Sequence, residues 1–73
     1  MISTLALEPN VTVHEMTYTM QAWQLRMGRM MQEQHTHERG SFQWDMIQAN
    51  LDAIARATDL VDANTPVKVK LLI

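Results

Sequence analysis

The chain has 73 residues, no cysteine, and six basic against eight acidic side chains, for a net charge of −2. That length allows one domain, which buries only about 60% of the surface its unfolded form exposes, so a metal, a disulfide or a partner subunit usually assists. The absence of cysteine excludes the disulfide route and cysteine-based zinc sites. The mild acidity gives no bulk attraction to a phosphate backbone.

The first ten residues lack the basic region and long apolar segment of a signal peptide. No window approaches the ~18 apolar residues of a membrane span. The expectation is a cytoplasmic protein, or one carried in a particle assembled in the cytoplasm. Within residues 1–10, the apolar run Ile2 to Leu7 closes on Glu8, Pro9 and Asn10. It reads as an extended or β-like arm, because proline pushes the residue before it out of the α region.

Thr12 and Glu15 fit a capping box, in which hydroxyl and carboxylate satisfy orphan amides reciprocally. The first helix is therefore expected over 13–38, with His35, His37 and Arg39 near the negative end of its dipole. Its apolar seam is Val13, Met16, Met20, Trp23, Met27 and Met30, continued by Gln34 and His37. Gly40 supplies a left-handed stop, and Ser41 caps a second helix over 42–62 with Asp45 in its first turn. The second seam is Trp44, Ile47, Leu51, Ile54, Thr58 and Val61. Asn64, Thr65 and Pro66 end that helix. Residues 66–73 alternate apolar and basic before an apolar finish, as a β-like arm would.

Reversal near Arg39 makes facing residues sum to about 78 in number, so Gln34 faces Trp44 and Trp23 faces Ile54. The expected fold is mainly α: an antiparallel helical hairpin within one small domain, with extended arms at both ends, completed by oligomerisation into a helical bundle. A second stripe runs beside each seam, Tyr18, Ala22 and Leu25 on the first helix, and Phe42, Met46, Ala49, Ala53 and Leu60 on the second. A lone hairpin has one inner surface, so this stripe faces water and marks an interface. With Val67, Val69, Leu71 and Ile73 of the tail, which can add as a strand to a sheet, it forms the expected self- or partner interface.

Residues with chemical potential have simpler explanations. His35 and His37 diverge by about 200° on a helix, and His14 lies roughly 31 Å from them at 1.5 Å per residue. All three therefore read as surface or turn residues. Five of the seven methionines fall between Met16 and Met31, largely on the seam, where methionine is an adaptable core filler. Trp23 and Trp44 hold seam positions and read as buried. Asp45, Asp52, Asp59 and Asp62 line an outer edge without converging, with Arg56 in reach of Asp52 and Asp59. No nucleophile stands with a base, and there is no glycine-rich phosphate loop. No catalytic, cofactor-binding or metal residue is assigned, and the chain is not expected to be an enzyme.

The function that follows is interaction or assembly: a homo-oligomeric structural adaptor, virion accessory component or secretion-type chaperone whose apolar arms dock on neighbouring subunits. A second class rests on layout. The order of short strand, Pro9, helix, Gly40, Ser41 and helix resembles the ribbon-helix-helix family. That resemblance implies a DNA-binding dimer, with a tail able to hold a toxin as antitoxins do. Against it, the arm carries no Lys or Arg and offers few donors for base edges. A third reading takes the methionines and histidines as a metal carrier.

Overall fold

The computed structural model describes residues 12–73, and the arm expected over residues 1–10 lies outside them. Four elements follow in order: strand β1 (Val13–Thr19), helix α1 (Met20–Gln34), helix α2 (Phe42–Thr58) and strand β2 (Pro66–Leu72). The strands pair antiparallel in a two-stranded sheet, Val13 opposite Leu72 and Thr19 opposite Pro66. The fold is therefore α+β.

This corrects the expected mainly α hairpin of 13–38 and 42–62. Residues 13–19 are strand, and the first helix begins at Met20. Met16 and Met20 fit a helical seam, but Met16, Tyr18 and Met20 equally fit a period of two. Val13, Thr17 and Thr19 favour extended backbone, because branching at Cβ restricts χ1 in a helix. Pairing with β2 settles the competition. The N-cap is Thr19, not Thr12: its hydroxyl accepts from the Ala22 amide at 3.2 Å.

α1 ends at Gln34, four residues earlier than expected, as His35 to His37 turn back onto Met31, Glu33 and Gln34. Gly40 takes φ 87°, where a Cβ would be strained, and the Ser41 hydroxyl accepts from the Trp44 amide at 3.2 Å. α2 stops at Thr58 instead of 62. The Thr58 hydroxyl bonds back to the Ile54 carbonyl at 2.8 Å, and Asp59 and Asp62 oppose the negative end of the helix dipole. A turn closes from Val61 to Thr58, with Leu60 in the left-handed region at φ 58°.

The two helices run antiparallel. The Gln34 side-chain amide donates to the Trp44 carbonyl (3.3 Å) and to the Gln48 side-chain oxygen (2.9 Å), while the Gln21 backbone N–H donates to the Ala63 carbonyl (3.1 Å) at the other end. Both helices cover one face of the sheet. Trp23 and Ile54, both fully buried, form one core with Val67, Val69 and Leu71 of β2. Met16, Tyr18, Met20, Met27 and Met30 pack around it. The Trp23 indole N–H donates to the Val67 carbonyl at 2.8 Å, which joins α1 to the sheet and satisfies the one polar atom of a buried ring.

Candidate interaction surface

The free edges of the sheet follow from its hydrogen-bond phase. Thr12 and Ile73 exchange two backbone bonds, at 2.9 and 2.7 Å. In an antiparallel ladder such pairs alternate with pairs whose N–H and C=O groups point away. With this register, Thr12, His14, Met16 and Tyr18 bond inward to β2. The main chain of Val13, Glu15 and Thr17 on one edge, and of Pro66, Lys68, Lys70 and Leu72 on the other, points outward.

The β2 edge is guarded. Pro66 has no N–H to offer. Asn50, buried on α2, clamps Leu72 with both ends of its amide: Nδ2 donates to the Leu72 carbonyl (2.9 Å) and Oδ1 accepts from its N–H (2.7 Å). Lys68 and Lys70 stand between these two devices, and lysine on an edge disfavours pairing with another strand. Ala53, Arg56 and Ala57 of α2, with Lys68 and Lys70, border an open trough of about 450 Å³ beside this edge.

Among the described residues the β1 edge has neither a proline nor a side-chain clamp, and Glu15 is its one acidic position. On its outward sheet face Glu15 stands opposite Lys70 and Thr17 opposite Lys68. On its inner face the Arg26 guanidinium stacks 4.0 Å from the centroid of the Tyr18 ring and donates to its hydroxyl at 2.8 Å. Tyr18 in turn meets Trp23 edge to face, with centroids 5.0 Å apart. Arg26 thus marks the flank of α1 above β1. Ala22 and Arg29 share that flank at helical spacing, with Leu25, 68% exposed, beside them.

The expected interface residues separate into distinct groups. Val67, Val69 and Leu71 lie in the chain's own core. Tyr18, Ala22, Met46 and Ala53 are half-buried. Leu25, Phe42, Ala49, Leu60 and Ile73 are exposed. The structure does not bring all twelve together. It keeps Phe42, Met46, Ala49 and Ala53 along the flank of α2 bordering β2, and Ala22 and Leu25 along the far flank of α1. A cleft of about 320 Å³, lined by Met16, Met30, Met46, Ile47 and Leu71 among others, opens between the helices and the sheet.

Sequence reasoning missed strand β1. Its signal was the alternation of Met16 and Tyr18 with Thr17 and Thr19. Trp44, expected to be buried, is half-buried, with the Arg39 guanidinium 5.7 Å from its ring centroid. Among the described residues, no three of His, Asp or Glu gather where a metal ion would sit. No helix among them is long and apolar enough to cross a membrane. Comparison of the chain with family models, with characterised proteins and with solved structures finds no match.

Proposed function

We propose that this chain is a non-enzymatic interaction and assembly protein, a small adaptor that works by covering protein surface. It acts in the cytoplasm or in a particle assembled there. The observation that carries this reading is the flank of α2 formed by Phe42, Met46, Ala49 and Ala53. Phe42 is 45% exposed and Ala49 exposed, and no element of the chain's described part covers them. Small residues at 49 and 53 allow another helix or strand to approach closely, and the methionine adapts to its partner. Leu60 adds to the reading. It is 98% exposed in a left-handed conformation, so it combines backbone strain with a wet apolar side chain that nothing within the described chain offsets.

A photo-cross-linking residue placed at Ala49 in producing cells tests the reading. A discrete adduct of defined mass, absent when the same residue replaces exposed Asp52, is the expected result. Equal and unspecific labelling at both positions would end the reading.

A further inference from the structure

The two edges of the sheet differ, and the open one lies under the flank of α1 where Leu25 is exposed. We propose that a second copy of this chain pairs antiparallel along β1, joining two two-stranded sheets into one of four strands. The proposal rests on the assembly reading above and adds to it a second surface, on the side of the molecule away from the α2 flank.

Three observations select a second copy. A chain of 73 residues buries too little surface to be robust alone, and joining two β1 edges extends both the sheet and its core. The hydrogen-bond phase lets only odd-numbered β1 residues bond across the new seam. Charge then selects the register: Glu15 opposite Glu15 is repulsive, whereas Glu15 opposite Thr17 of the second copy is not. That register overlaps all seven residues of β1 with themselves about Met16. Met16 already borders the core on the helix-covered face, so its contact with Met16 of the second copy continues the core across the two-fold axis. The same operation sets the two α1 helices side by side, with Ala22 and Leu25 along their seam. The β2 edge cannot substitute, because Pro66, the Asn50 clamp and a lysine-on-lysine match all stand against it.

The test compares three proteins by light scattering over a dilution series. Thr17→Pro removes an outward N–H that β2 does not use, a place where an edge strand tolerates proline. Lys68→Pro does the same on the other edge. The wild type and Lys68→Pro are expected at twice the chain mass, and Thr17→Pro at the chain mass with helicity retained. A wild type that stays at the chain mass overturns the proposal. So does a Thr17→Pro protein that remains a dimer, although it leaves the assembly reading standing. Should Thr17→Pro fail to fold, hydrogen exchange on the wild type decides. The Val13, Glu15 and Thr17 amides are expected to be slow when concentrated and fast when dilute, with Lys68 and Lys70 fast in both. Protection of the β1 amides that does not change on dilution overturns the pairing.

Discussion

β1 and β2 are equal in length and share one ladder, yet they treat their surroundings in opposite ways. β2 buries Val67, Val69 and Leu71 beneath the helices, turns two lysines to water, and has its edge closed at Pro66 and at Leu72. β1 is only half-buried at Met16 and Tyr18 and exposed elsewhere, and among the described residues its edge carries no proline and no clamp, only the charge of Glu15. A strand completed by its own chain shows strict alternation with charge at the edge. The other strand shows threonines around a single glutamate and a row of amides that no described residue takes up. The contrast teaches that an edge must be judged residue by residue from the ladder phase, because two strands of one sheet can differ completely.

The largest effect should come from the buried strand. Leu71→Ala removes a side chain only 4% exposed and is expected to cost about 2–5 kcal/mol, while Val13→Ala should stay within about 0.5 kcal/mol. Equal losses in denaturant titrations would erase the distinction between the strands. Next comes the clamp. Asn50→Ala strands the N–H and C=O of Leu72 and is expected to cost about 1–3 kcal/mol. It should also create new concentration-dependent association, because the β2 edge loses a guard. A destabilised protein whose association is unaltered would mean that Asn50 serves stability alone. The smallest effect is electrostatic. Lys70→Glu faces Glu15 with a like charge across the exposed ladder and should cost about 0.2–1 kcal/mol, with the loss shrinking as salt is added.

Much of the helical part was legible. Ser41 as a cap, the left-handed turn at Gly40 and the facing of Gln34 with Trp44 depend on local chemistry and spacing, and the structure has each of them, although α1 stops at Gln34 and not at Gly40. The alternation that marks β1 as a strand was outweighed by competing helical signals. Val13, Met16 and Met20 match a helical period by coincidence, and Thr12 with Glu15 imitates a capping box. Only a pairing partner some fifty residues downstream, invisible to local pattern, decides for extended backbone. The uncovered flank of α2 was visible as a second apolar stripe. What the stripe could not reveal was that Val67, Val69 and Leu71 would be consumed by the chain's own core. The difference between the two edges was beyond sequence reasoning altogether, because it depends on which parity of residues bonds inward.

The bond from the Trp23 indole to the Val67 carbonyl joins groups 44 residues apart, and the whole sheet shares that long reach. The turn end of the helical hairpin joins near neighbours, as at Gln34 and Trp44, whereas every strand pair joins residues from opposite ends of the described chain. Loop closure of this kind slows folding relative to a purely helical chain. The expected order is hairpin first and sheet last. During that interval β1 waits unpaired with Met16 and Tyr18 uncovered, and at high concentration another chain's strand competes for it. The rate at which β2 arrives is then expected to set how much of the protein reaches its fold and how much is lost to mispairing.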